Sequence, residues 1–207
     1  MKALYYPDSM AYLPHVVKEV WFDAPLPTDL NGDVAVDLGA NIGLVTGLLA
    51  ERFETVYAVE PSWEFYEALV LNKEYNGWDN VMVCPCAISY RDGVMTLAEC
   101  RANTTMRTLM HDYGDGGEEV PTLTFENFMG QYGIDSIDFL KMDIEGSEVS
   151  VLEAESFDRI ALRIRAMQVS FHAPAANKLV QYIVSKGFGA RGYPNASTVV
   201  YFDRNAK

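Results

Sequence analysis

Val34-Ala-Val-Asp-Leu-Gly-Ala-Asn-Ile-Gly43 is the stretch that decides the fold. A β-branched apolar run ends in an acid, passes into small residues and opens onto an apolar helical pattern. That order reads as strand, tight turn, helix, with small residues where the turn meets a ligand. Twenty-one residues after Gly39 a second apolar run, Val56-Tyr-Ala-Val59, ends in Glu60. An acid at the tip of the second strand of such a unit is placed to take a ribose diol. Together these features point to an adenosine-bearing cofactor. A dinucleotide site asks for Gly-x-Gly-x-x-Gly, so that the backbone can approach a pyrophosphate. The three positions here are Gly39, Asn41 and Leu44, and two of them fail. The Gly-Lys-Ser/Thr ending of a P-loop is also absent. The pattern present is acid-x-Gly-x-Asn-x-Gly, carried by Asp37, Gly39, Asn41 and Gly43.

The chain has 207 residues, enough for one domain. It is 49% hydrophobic and 22% charged, which is ordinary for a globular fold. No apolar run approaches the roughly 20 residues of a membrane span, and Met1 to Asp8 carry no signal-peptide apolar segment. No membrane association and a cytoplasmic location are the expectations. The net charge is −13, and the only gathering of basic residues is Arg159, Arg163 and Arg165, read as a solvated rim. Nucleic-acid binders usually present a basic face, so a nucleic-acid partner is not expected. Cys84, Cys86 and Cys100 make an odd count, which favours free thiols. Cys84-Pro-Cys86 has no second ligand pair and reads as strand packing rather than a metal site.

Residues 1–32, with Pro7, Pro14, Pro25 and Pro27 and several aromatics, read as an N-terminal arm packed on the domain, with a lid as the alternative. His15 to Trp21 has the pattern of a short helix. Residues 33–207 then alternate: strand 33–38, helix 42–52, strand 55–60, helix 62–76 capped by Ser62, and strand 80–88. Asp92-Gly93 reads as a hairpin turn and Gly114-Asp-Gly-Gly117 as a mobile loop. Helix 123–132, strand 136–142, helix 146–155, strand 160–171 and helix 174–186 follow, the last opened by Pro174 and closed by Gly187. Strands 188–193 and 197–203 close the chain, joined by Pro194-Asn195. This alternation predicts an α/β fold, three-layer αβα, with a mostly parallel sheet covered on both faces. The closing link is too short for a crossover, so the last strand pair is antiparallel.

The Asp37–Gly43 turn resembles the S-adenosylmethionine turn of class I methyltransferases, with Asn41 in place of the middle glycine. A seven-stranded Rossmann-like sheet with a reversed last strand is the layout of that class. The stretch Ile137-Asp-Phe-Leu-Lys-Met-Asp-Ile-Glu-Gly146, with Glu148 and Val151-Leu152 after it, resembles the signature of the FkbM family of S-adenosylmethionine-dependent methyltransferases. Glu60-Pro61, the Leu69…Asn72…Asn76 spacing, Cys86-Ala-Ile-Ser89 before Asp92-Gly93, and Thr122-Leu-Thr match in order. Gln168 departs from the pattern, where the family often has Glu, and the arm matches nothing in it.

The resemblance implies a small-molecule acceptor, O-directed transfer and S-adenosylmethionine as cofactor. Glu60 is then the ribose ligand, with Pro61 beside it. Asp37 steadies the turn and reaches the methionine amino group. Asn41 faces the carboxylate end, and Gly39 and Gly43 let the backbone close on the cofactor. Ser62 or Trp63 flanks the adenine, and Ala87 and Ile88 line its pocket. Lys141 is expected in the fourth strand, with Asp143 and Glu145 on its exit loop, at the carboxyl edge where ligands bind. Asp143 then lies beside the sulfonium or the acceptor, while Glu148 caps the next helix. His172 ends the fifth strand and, as an imidazole, is suited to accept a proton near neutral pH. No metal is expected, because the fifth strand offers no acid-amide pair. The alternatives are an S-adenosylmethionine-binding domain without catalysis and, with the glycine spacing against it, an NAD-dependent oxidoreductase.

Overall fold

A computed structural model describes residues 3–7, 17–18, 20, 23–99, 107–109, 117–172, 176–193 and 196–205. In chain order the elements are β1 (Gly32–Leu38), α1 (Leu44–Ala50), β2 (Phe53–Val59), α2 (Trp63–Asn76), β3 (Val81–Cys84), β4 (Ala87–Ile88), β5 (Gly93–Glu99), β6 (Arg107–Thr108) and β7 (Gly117–Leu123). They continue with α3 (Phe125–Tyr132), β8 (Ile137–Met142), α4 (Glu148–Leu152), α5 (Glu155–Ile160), a 3-10 turn (Ala161–Arg163), β9 (Ile164–Ser170), α6 (Ala176–Ser185), β10 (Gly189–Tyr193) and β11 (Ala196–Asp203). Seven strands form the main sheet in the order β10-β11-β9-β8-β1-β2-β3. All neighbours are parallel except β11, which runs against both β10 and β9. The expected mostly parallel sheet with a reversed last strand is present.

Strand alternation sorts the core into two layers. Val36, Leu38, Leu140, Met142, Met167 and Val169 point to one face, where Phe125, Phe128, Val151, Phe157, Leu179 and Ile183 of α3 to α6 cover them. Ala35, Val56, Ala58, Phe139 and Ala166 point to the other, against Leu49 of α1, Leu69 of α2 and Leu26 and Leu30 of the arm. The arm is also tied down by hydrogen bonds. Asn72, fully buried, donates to the carbonyls of Tyr5 and Ile42. Asn76 donates to Ala3 O, and Arg52 to Pro27 O.

Four expectations are corrected. The strand expected over 80–88 breaks at Pro85, which has no N–H for a ladder. β4 leaves the main sheet and pairs with β7 in a second, four-stranded sheet of order β4-β7-β5-β6. Asp92-Gly93 is not a hairpin turn, because β4 and β5 lie on opposite sides of β7. The Asp92 carboxylate instead accepts hydrogen bonds from Thr124 N and Asn127 Nδ2 at the start of α3. The helix expected over 146–155 is two helices, α4 and α5. The second buries Phe157 and Ile160, so β9 begins at Ile164 rather than at 160. Most of the His15–Trp21 helix, the Gly114–Gly116 loop, Cys100, Pro174 and the Pro194-Asn195 turn lie outside the described residues.

Candidate cofactor and active site

A cavity of about 440 Å³ opens over the carboxyl edge of β1, β2, β8 and β9. Its position follows from the parallel sheet, whose strand ends and following loops all lie at one edge. It is lined by Asp37, Gly39, Asn41, Glu60, Pro61, Phe65, Ala87 and Ile88, by Lys141, Asp143, Glu145, Gln168 and His172, and by Ala24 and Leu26 of the arm.

Glu60 is buried at the tip of β2. Its Oε2 accepts from Asn41 N at 2.8 Å and its Oε1 from Ser62 N at 2.9 Å. One carboxylate therefore joins the turn after β1 to the turn after β2. Asn41 adopts φ 52°, a left-handed conformation that asparagine tolerates, and its Oδ1 accepts from Ile42 N at 2.8 Å. Gly39 is at φ 78°, and a Cβ there would lie 1.9 Å from the carbonyl oxygen of Asp143. The turn thus closes first on the backbone after β8. Gly43 and Ser62 lie behind the cavity wall. A Cβ on Gly43 would meet Leu69 at 2.6 Å, and Ser62 is the buried N-cap position of α2.

Register assembles the polar floor. Asp37 is level with Lys141, and Lys141 is level with Gln168, on three adjacent strands. All three are buried. Asp37 Oδ2 accepts from Thr46 Oγ1 at 2.6 Å. Burial pushes its carboxyl up to about 6, against the lowering pull of Thr46 and Lys141. Gln168 donates to Ala24 O at 3.0 Å and accepts from Tyr193 Oη at 3.3 Å, so it holds the arm over the cavity. Sequence reasoning gave Gln168, Thr46 and Phe65 no part in the site, since only register and packing bring them there.

Lys141 lies in β8, with Asp143 and Glu145 on the exit loop, as expected. Lys141 Nζ donates to Asp143 Oδ2 at 2.9 Å and to Ser170 Oγ at 3.0 Å. Burial works to raise the Asp143 carboxyl, but Lys141, His172 and the hydrogen bonds from Lys141 and Ser170 outweigh it and hold it low. Glu148 does not cap α4 in the expected sense. Its fully buried carboxylate reaches back into the loop, accepting from Ile144 N at 3.1 Å and Gly146 N at 2.9 Å.

His172 sits just past β9 with its side chain 32% exposed. Its Nδ1 is 3.0 Å from Glu148 Oε1, and its Nε2 is 3.6 Å from Asp143 Oδ1 and 3.7 Å from Glu145 Oε2. Burial pulls the imidazole pKa down, but the Glu148 hydrogen bond and the three carboxylates push it up to about 9. The expectation of an imidazole titrating near neutral pH is corrected accordingly: at pH 7 the ring of the free protein is mainly imidazolium. Ligand atoms of Asp143, Glu148 and His172 lie within 4.8 Å of one another. The Lys141 ammonium already neutralises Asp143, and both Glu148 oxygens already accept loop amides. Cys84 and Cys86 are buried free thiols whose pKa values burial raises to about 11 and about 12, so they stay protonated at neutral pH. Arg163 and Arg165 bind the carbonyls of Ile134, Asp135 and Asn31, while Arg159 pairs with Glu126.

The strand order, the reversed β11 and an acid at the tip of β2 facing a cavity at the carboxyl edge define a class I methyltransferase fold. The chain belongs to the methyltransferase FkbM domain family, which matches residues 37–191. Its structure is similar to that of methyltransferase FkbM from Methylobacillus flagellatus KT, with a TM-score of 0.61 at 22% identity. The match covers 96% of this chain and 48% of that one, so this chain spans about half its length. It is also similar to an rRNA methylase from Streptococcus thermophilus (TM-score 0.52, 13% identity, 84% and 87% of the two chains covered). A third similar structure is SMU.1697c of Streptococcus mutans in complex with SAH (TM-score 0.52, 11% identity, 84% and 89% covered). No curated protein matches the sequence. No helix among the described residues is long and apolar enough to cross a membrane.

Proposed function

We propose that this chain is an S-adenosylmethionine-dependent O-methyltransferase acting on a hydroxyl of a small molecule, such as a sugar or a secondary metabolite. The observation that carries this reading is Glu60: a buried carboxylate lining the cavity, held at both oxygens by the amides of Asn41 and Ser62. The residues present fit the cofactor. Glu60 accepts from the ribose hydroxyls, Pro61, Phe65, Ala87 and Ile88 give an adenine apolar walls, and Asp37 and Asn41 face its amino-acid end. The cavity volume is in the range that small-molecule sites occupy.

Bound there, S-adenosylmethionine supplies a methyl group already activated by its sulfonium. The chain has then to align the acceptor oxygen and take its proton. Asp143 and His172, at the ends of β8 and β9, are the groups for those tasks. The same reading includes no metal, no nucleic-acid or membrane partner and a cytoplasmic location; the Lys141–Asp143 ion pair and the acidic surface support the first two.

Calorimetry with S-adenosylmethionine, S-adenosylhomocysteine and NAD, followed by a panel of hydroxyl acceptors scored by S-adenosylhomocysteine release, tests the proposal. Micromolar binding of the first two, hardly any NAD binding, and turnover that survives EDTA are expected. Tight NAD binding without S-adenosylmethionine binding overturns the reading. Activity lost in EDTA and restored by Mg²⁺ overturns its metal-free part.

A further inference from the structure

Glu148 is fully buried yet touches a half-exposed histidine at the cavity rim. Its carboxylate is immobilised from two sides, by the amides of Ile144 and Gly146, before it meets the ring. Its Oε1 lies 3.0 Å from His172 Nδ1, within hydrogen-bond reach. The other ring nitrogen is different. Nε2 has Asp143 Oδ1 at 3.6 Å and Glu145 Oε2 at 3.7 Å, both beyond a hydrogen bond, and His172 lines the cavity.

We infer that Glu148 is a positioning residue: it holds the Nδ1–H of His172, fixing the tautomer and ring plane so that the lone pair of the neutral imidazole sits on Nε2 and faces the acceptor. A carboxylate fixed behind an imidazole fills this role in other base-catalysed sites. The inference rests on the methyltransferase reading proposed above. In the transfer, the acceptor oxygen forms its bond to the methyl carbon as the C–S bond breaks, and that electron pair stays on sulfur. The hydroxyl proton passes to Nε2. The resulting imidazolium keeps its Nδ1–H on Glu148 and returns the Nε2 proton to solvent at the exposed side of the ring. Asp143 (after β8), Glu145 (on the loop) and Glu148 (in α4) face the ring, and Lys141 stands behind Asp143. The arrangement makes a stronger base whose neutral form is scarcer at pH 7.

The test is NMR of the full chain with ¹⁵N,¹³C-labelled histidine, wild type against Glu148→Gln, with His172→Asn to assign the signal among three histidines. In the wild type the neutral ring is expected as the Nδ1–H tautomer. In Glu148→Gln the titration midpoint is expected to fall by about one pH unit or more, with mixed tautomers, and Glu148→Asp is expected to restore part of both. If Glu148→Gln does not fold, Glu148→Asp carries the comparison, with a smaller shift in the same direction. With the best acceptor of the panel, kcat of Glu148→Gln is expected to fall about tenfold, with its alkaline-rising limb displaced to lower pH and S-adenosylhomocysteine affinity held within about twofold. A His172 midpoint and tautomer unchanged by either substitution overturn the inference while leaving methyl transfer standing. Full kcat in His172→Asn overturns the proton acceptor itself. Absence of S-adenosylhomocysteine binding overturns the underlying function, which the NMR arm does not depend on.

Discussion

The amide of Asn41 donates to Oε2 of Glu60 at 2.8 Å, so the turn after β1 and the acid at the tip of β2 form one unit. Two consequences follow for Glu60→Ala: the proposed ribose ligand is lost, and the Asn41 and Ser62 amides lose a buried acceptor. S-adenosylhomocysteine affinity is expected to fall by about tenfold or more, since each bond to a charged group contributes roughly 1.5–3 kcal/mol. Calorimetry checks this, and an unchanged affinity removes Glu60 from the site.

Asp37 gives a stability prediction with a definite sign. Burial raises its carboxyl from 3.8 to about 6 in the folded chain. Between those values the folded state holds the proton more tightly than the unfolded state, so stability falls as pH rises, and the loss is complete above about 6. Asp37→Asn keeps an acceptor for Thr46 and carries no such penalty. It is expected to be more stable than wild type at pH 7.5, by at most about 3 kcal/mol, with the gain shrinking towards pH 4 and cofactor affinity reduced. Denaturant unfolding at both pH values decides it; equal differences at the two would show that Asp37 is not the titrating group.

His172 shows the same sign of pH dependence in a higher window. Its folded pKa, about 9, lies above the ordinary 6.5, so the imidazolium among Asp143, Glu145 and Glu148 contributes stability below about pH 6.5 that is lost as pH rises through 9. The melting-temperature gap between wild type and His172→Asn is therefore expected to be widest near pH 6 and to close by pH 9.5. A gap that widens towards high pH would exclude the charged ring.

Gly39 and Gly77 separate space from backbone conformation. Both have positive φ, 78° and 71°, but a Cβ on Gly77 meets nothing within 4 Å whereas one on Gly39 strikes the Asp143 carbonyl. Gly77→Ala is expected to cost about 1–2 kcal/mol, the left-handed strain alone. Gly39→Ala is expected to cost more and to abolish cofactor binding. Urea titration of the two variants compares them directly, and equal losses would mean that the turn relaxes.

Legibility followed the range of the interactions. The strand-turn-helix unit around Asp37–Gly43 and the acid at Glu60 were readable because periodicity, turn chemistry and strand tips are local properties of a chain. The second sheet was not, because nothing near Ala87 says that its partner is Thr122 of β7 rather than a continuation of β3. Phe157 and Ile160 mark α5 by helical spacing, but the apolar run Ile160-Ala-Leu, continued by Ile164, reads as the start of the next strand. Glu148 reads as a cap from its place near a helix start; its carboxylate turns back instead to the amides of Ile144 and Gly146, which precede the helix.

By itself, then, the sequence determined the α/β alternation, the edge of the sheet at which the cavity opens, and the turn after β1 that lines it. Those depend on residue order and on the fixed periods of helix and strand. Tertiary structure alone decided that Asp37, Lys141 and Gln168 form one row, that Gln168 holds Ala24 across 144 residues of chain, and that three carboxylates surround His172. The Glu148 hydrogen bond and the surrounding carboxylates, against the pull of burial, raise the pKa of that ring, and they meet it only because the segments that follow β8 and β9 pack against one another, which no local pattern encodes.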